Sequence, residues 1–160
     1  FEPLVSANIS MVRRVIYRIV LCPDDTEDLV QETFIRAFEK AGAFEGKSKF
    51  STWLCGIGVN LAISFIRKQN RRRSDELPPE LEETNPSSPH GELETNEELK
   101  RIHTAISQLP EKFRTVIVLG VVEELPPKEI ADILGCSQAT VYWRLHQARK
   151  RLAQKLEVNP

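Results

Sequence analysis

Little in this chain could cross-link it, catalyse a reaction or cross a bilayer. Its 160 residues contain three cysteines, Cys22, Cys55 and Cys136. They are odd in number, widely spaced and set among apolar neighbours, which suits small buried hydrophobes in a reducing compartment better than a disulfide framework. No run of about 18 uncharged apolar residues is present, so no membrane span is expected and the chain reads as soluble. Phe1 is not followed by a charged segment, an apolar segment and a small-residue cleavage site, so no secretory signal is expected in these residues. A phosphate-cradling glycine loop and a nucleophile motif are missing, as is zinc-type spacing among Cys22, Cys55, Cys136, His90, His103 and His146. Catalytic residues, metals, cofactors and a small-molecule substrate are therefore not expected. With aromatics at 7% and hydrophobics at 41%, the chain supports modest cores in one or two small domains, not a large multidomain enzyme.

Strand alternation is absent as well. Val12, Val15, Ile16, Ile19 and Val20 recur at helical spacing, as do Leu29, Val30, Phe34, Ala37, Phe38 and Ala41. Asp24 with Glu27 predicts a capping box for the second helix, and Gly42 predicts its stop. A third helix is predicted from Ser51 through Arg71, where Gly56 and Gly58 each cost about 1 kcal/mol relative to Ala unless close packing needs them. Residues 75–99 hold four of the ten prolines and no aromatic, Lys or Arg, so they cannot bury enough apolar surface to fold alone. The expected fold is all-α, with two small helical domains at 1–74 and 100–160 joined by a flexible acidic linker over 75–99.

The net charge of −1 hides an uneven distribution. Residues 1–74 carry twelve Lys/Arg against eight Asp/Glu, residues 75–99 none against nine, and residues 100–160 ten against six. Two basic halves flank a wholly acidic strip, and basic surfaces are the electrostatic footprint of polyanion binders.

The sharpest local pattern lies at residues 126–155. Pro127 fits a first helical turn, Ile130, Ala131, Ile133 and Leu134 give an inner face, and Gly135 ends the helix. Ser137 is a good N-cap for the next helix, whose buried stripe is Val141, Leu145, Ala148 and Leu152. This is a helix-turn-helix arrangement, which places its second helix where a major groove receives it. The outward face then holds Gln138, Tyr142, Trp143, His146, Gln147, Arg149 and Lys150, with Arg144 beside them, the donors, aromatics and cations that read base edges and anchor phosphates; Ser137 and Thr140, at the start of the helix, complete the expected DNA-contacting set.

In the N-terminal half, Gly46–Lys47–Ser48–Lys49–Phe50–Ser51–Thr52–Trp53 joins a loop of glycine and lysines to hydroxyls and two aromatics. Single-stranded nucleic acid favours that combination, although Phe50 and Trp53 also suit a core. Arg67, Lys68, Arg71, Arg72 and Arg73 place five cations in seven residues at a helix end, a density suited to phosphates. Asp28, Gln31, Glu32, Ile35, Arg36 and Glu39 lie opposite Phe34 and Phe38, and by spacing alone they are a solvated face.

Two blocks of the chain resemble the bacterial sigma factors of the extracytoplasmic-function group. The first is Glu27-Asp28-Leu29-Val30-Gln31-Glu32-Thr33-Phe34-Ile35-Arg36-Ala37-Phe38, followed by Phe50-Ser51-Thr52-Trp53-Leu54 and Asn60-Leu61-Ala62-Ile63. The second is Leu109-Pro110-Glu111-Lys112-Phe113-Arg114, then Glu129-Ile130-Ala131, Leu134-Gly135-Cys136-Ser137, Thr140-Val141 and Arg144 through Leu152. The resemblance implies that 1–74 grips the β′ clamp helices of core RNA polymerase through Asp28, Gln31 and Glu32, with Ile35 and Arg36 beside them. It implies recognition and melting of the promoter −10 element by Lys47, Lys49, Phe50, Thr52, Trp53, Asn60, Arg67, Lys68 and Arg71. It further implies that 100–160 reads the −35 element and meets the β subunit, that the acidic linker threads the RNA exit path, and that an anti-sigma factor controls a cytoplasmic protein. Gly56 and Ser64 depart from the basic and acidic residues usual in the group. Tyr142 and Trp143 replace a cation and a serine, which predicts apolar contact with thymine methyls. The competing reading, a stand-alone dimeric helix-turn-helix regulator, leaves the first block without a role.

Overall fold

The computed structural model describes residues 2–76 and 96–158; most of the expected linker, 77–95, lies outside the described residues. The all-α expectation holds, with seven α-helices and no strand among the described residues. They are α1 (Glu2–Val20), α2 (Pro23–Glu39), α3 (Phe50–Glu76), α4 (Glu97–Ser107), α5 (Glu111–Ile117), α6 (Pro127–Leu134) and α7 (Gln138–Val158). They divide into two compact units, α1–α3 and α4–α7. Helix reaches into both ends of the acidic segment. At its C-terminal end the Asn96 side chain accepts from the Glu98 backbone N–H at 3.0 Å, while Glu97 and Glu98 complement the helix dipole.

In the first unit, each helix packs on the other two. Val12, Val15, Ile16 and Ile19 of α1 are buried, as the spacing predicts, against Val30 and Ala37 of α2 and Leu54, Val59 and Ala62 of α3. The stretch Phe50–Ser74 is long and apolar enough by composition to cross a membrane, contrary to the sequence expectation, but Leu54, Cys55, Val59, Ala62 and Ile63 make α3 a core helix of this unit. Gly58 answers a packing need: a Cβ there would stand 3.3 Å from Ile16 Cδ1 and 3.5 Å from Thr33 Oγ1.

Two end signals of α2 are corrected. The Asp24–Glu27 box does not form, because Cys22 is the N-cap and Pro23 takes the first helical position. Glu27 instead receives Arg13 Nε of α1 at 2.6 Å and Nη2 at 3.3 Å, and that hydrogen bond raises the Arg13 pKa. The helix stops at Lys40, not at Gly42, which falls in a single 3₁₀ turn, Ala41–Ala43. Phe38 is also misassigned by spacing: it is 68% exposed, since Thr26, Val30, Thr33 and Ala37 make the inner face. Buried Thr26 and Thr33 are tolerated there because their hydroxyls donate to the carbonyls of Cys22 and Leu29, both at 2.7 Å.

In the second unit, α7 packs on α4, α5 and α6. Val141, Leu145 and Ala148 are buried as predicted, while Leu152 is half-buried. Beyond Ile117 the helix widens into one π-helical turn, Val118–Val122, with Val121 48% exposed. The turn between α6 and α7 follows its sequence signals. Gly135 takes a left-handed conformation, φ 66°, and the Ser137 hydroxyl oxygen accepts from the Thr140 N–H at 3.1 Å. Replacing Ser137 with Ala is expected to cost about 1 kcal/mol and to lower the thermal midpoint of this unit by about 4–8 °C, measured by calorimetry.

Candidate functional site

The α2 face opposite the core presents Asp28, Gln31, Glu32, Ile35 and Arg36 to solvent, all five exposed. Glu32 and Arg36 form an i,i+4 ion pair at 3.1 Å. Ile35 is 56% exposed, and Phe38 shares that side of the helix. Carboxylates, an amide and two large apolar side chains side by side form an adhesive surface, where spacing alone suggested an ordinary solvated face.

On α3 the exposed stripe runs down the helix through Asn60, Arg67, Lys68 and Arg71, with Trp53 half-buried at its upper end. At about 1.5 Å per residue, the 18 steps from Trp53 to Arg71 span about 27 Å. Above Trp53, the loop carrying exposed Lys47 and Lys49 turns through Gly46 at φ 74°, and Lys47 pairs with Glu45 at 2.9 Å. Phe44, Phe50 and Trp53 form a mutual cluster, with centroids 5.2 Å apart for Phe44–Trp53, 5.6 Å for Phe50–Trp53 and 5.8 Å for Phe44–Phe50. Thr52 points the other way and is buried, 8% exposed, so its hydroxyl is not on the stripe. Phe44 was missed in the sequence; its only signal is its place two residues before Gly46.

On α7, Gln138, Tyr142, Trp143, His146 and Arg149 are exposed, whereas Thr140, Arg144 and Gln147 are half-buried. The hydroxyls of Ser137 and Thr140 lie 2.9 Å apart and are engaged in the cap. Tyr142, His146 and Arg149 border a cleft of about 380 Å³ whose far wall is Gly120, Leu125 and Pro127. Trp143 turns toward α5 and meets Phe113.

Two separate units thus carry an adhesive helix face, an aromatic-and-cationic helix and a helix-turn-helix. Residues 4–72 match the family Sigma-70 region 2, and residues 99–152 match Sigma-70, region 4. The chain is 32% identical over 166 residues to the ECF RNA polymerase sigma-E factor of Haemophilus influenzae, covering 98% of this chain and 87% of that protein. It is equally 32% identical, over 167 residues, to the ECF RNA polymerase sigma factor SigW of Bacillus subtilis, covering 98% and 88%. The chain belongs to the ECF RNA polymerase sigma factors. Its fold is similar to that of the sigma factor RpoE from Bartonella quintana, solved in complex with the anti-sigma factor NepR, at a TM-score of 0.77 and 26% identity over 100% of this chain and 98% of that one. As a sigma factor, the protein works with core RNA polymerase on promoter DNA.

In this sigma factor the sequence reading missed Lys112 and Arg151 near Trp143. Lys112 lies in α5 and Arg151 two turns beyond Trp143 on α7, so only the folded unit gathers them around Phe113.

Proposed function

We propose that the α2 face of Asp28, Gln31, Glu32, Ile35 and Arg36 docks this sigma factor on the clamp helices of the polymerase β′ subunit. In the same reading, 1–74 melts the −10 element and 100–160 reads the −35 element through α7 and meets the β subunit. The role is binding and positioning, not catalysis, in the cytoplasm where polymerase and promoter meet. The observation that carries this is the mixed acidic and apolar surface on α2, with Ile35 exposed beside four polar or charged side chains. Those five side chains are exposed among the described residues, and they fall in the part matching region 2.

On α3 the sequence of groups suits promoter opening. Extruding a base costs a few kcal/mol, which stacking on an aromatic of the Phe44–Phe50–Trp53 cluster and phosphate contacts along Asn60, Arg67, Lys68 and Arg71 would offset. Thr52 keeps only a supporting place under that surface. An anti-sigma factor that covers the α2 and α7 faces would hold the protein inactive, a reading supported by the likeness to a sigma factor solved with its anti-sigma factor.

Run-off transcription from a promoter library, with bacterial core polymerase in the presence and absence of the protein, tests the reading. Initiation restricted to a defined set of −35/−10 pairs is the expected result. Duplex binding without polymerase-dependent initiation would overturn it.

A further inference from the structure

Tyr142 and Trp143 are neighbours in sequence, yet the fold treats them differently. Tyr142 borders the open cleft, whereas Trp143 leans on α5 with its ring centroid 6.1 Å from that of Phe113 and the planes at 49°. Phe113 is 2% exposed and therefore fixed by the core. Lys112 Nζ lies 5.9 Å from the Trp143 centroid and 5.1 Å from that of Phe113, and Arg151 Cζ sits 4.5 Å over the Phe113 ring. Cations over aromatic faces are attracted by the ring quadrupole, so both side chains add to the hold on the pair.

An indole braced by an immobile ring and a cation has lost rotamer freedom before any ligand arrives, which is the condition for a selective contact. Trp143 nevertheless remains 54% exposed, so the brace does not bury it. It stands in the second turn of a helix that begins at Gln138, where recognition helices offer side chains to base edges. An indole is an apolar plate with one donor, and the apolar group in the major groove is the thymine C5-methyl.

We propose that Trp143 determines specificity at the −35 element by reading one thymine methyl, and that Phe113 and Lys112 are positioning residues that hold its indole in the reading orientation. This rests on α7 being the DNA-reading helix. Tyr142, on the cleft side, is left to contacts that do not depend on Phe113.

The test uses full-length protein with core polymerase on a promoter chosen from the library. Each −35 thymine is replaced in turn by uracil, which removes only the methyl group. At one position the thymine template is expected to be transcribed about three to ten times better than the uracil template. Trp143→Ala is expected to bring that ratio to about one while ratios at other positions persist, since only the one apolar contact is lost. Lys112→Met and Phe113→Leu are expected to lower the same ratio selectively, a pattern that general loss of folding, which weakens all templates alike, would not produce. Lys112 is exposed, so its variant carries the test even where Phe113→Leu fails to fold. A selected −35 element without thymine, ratios near one throughout, or an unchanged ratio in Trp143→Ala would overturn the proposal while leaving the sigma-factor reading intact. Absence of any promoter-dependent initiation would overturn both.

Discussion

Reversing two charges on α2, Asp28→Lys with Glu32→Lys, is expected to reduce promoter-dependent run-off transcription at least about a hundredfold while moving the thermal midpoint by only about 3 °C. Both side chains are exposed, and the Glu32–Arg36 ion pair on this face, at 3.1 Å, joins two groups that are each nearly half exposed. Pairs of that kind are worth about 0.3–0.5 kcal/mol, and the like-charge pair created by the substitution costs a similar amount. An interface hot spot loses about 2 kcal/mol or more per side chain, so two of them account for the transcriptional loss. Core binding measured by anisotropy should fall in step with transcription. Parallel losses of melting temperature and activity would instead make the α2 face a structural element of its unit.

The second large effect belongs to Arg114, which is buried in the helix-turn-helix unit at 8% exposure. Its Nη1 donates to the Leu109 carbonyl at 2.8 Å across the turn between α4 and α5. Burial pushes its pKa down and the nearby Glu111 carboxylate opposes that shift, but an arginine so placed stays cationic at neutral pH. Arg114→Ala is expected to destabilise this unit by about 3–5 kcal/mol, because it removes a buried donor and opens a cavity together. Arg114→Met, which restores much of the volume without the charge, should recover part of the loss. With Trp53→Phe as background, Trp143 fluorescence in urea reports this unit alone. A loss under about 1 kcal/mol would mean that water or neighbouring groups replace the guanidinium without strain.

Local signals were the most legible. Gly135 and Ser137 specify the α6–α7 turn from adjacent residues, and the structure reproduces both the left-handed glycine and the serine cap. The core of α7 followed from its spacing because three neighbouring helices cover one stripe. Phe38 failed the same logic, since the α2 inner face is completed by Thr26 and Thr33, whose hydroxyls satisfy themselves within the helix and so pass for apolar groups. The capping box at Asp24 lost to Pro23, which takes the first helical position and so starts the helix two residues earlier. The π-helical turn at Val118–Val122 has no spacing signature, because an unbroken apolar run looks alike in either helix.

The candidate sites divide along the same line. Exposure of Asp28, Gln31 and Glu32 was readable from spacing, but their importance came only from the family resemblance. Thr52 lies inside although both its neighbours suggest a surface, because Leu54 and Cys55 draw that turn of α3 into the core. Phe44–Trp53 and Phe113–Trp143 are contacts between side chains 9 and 30 positions apart, which no local pattern announces.

Ile35 and Phe38, at 56% and 68% exposure, also limit how the protein behaves alone. Side chains kept in water so that another surface can cover them will cover one another when that surface is scarce. On the proposed docking role, the unassembled protein is therefore expected to self-associate through α2 as its concentration rises, and its yield on overproduction should rise when a binding partner is supplied in equal amount.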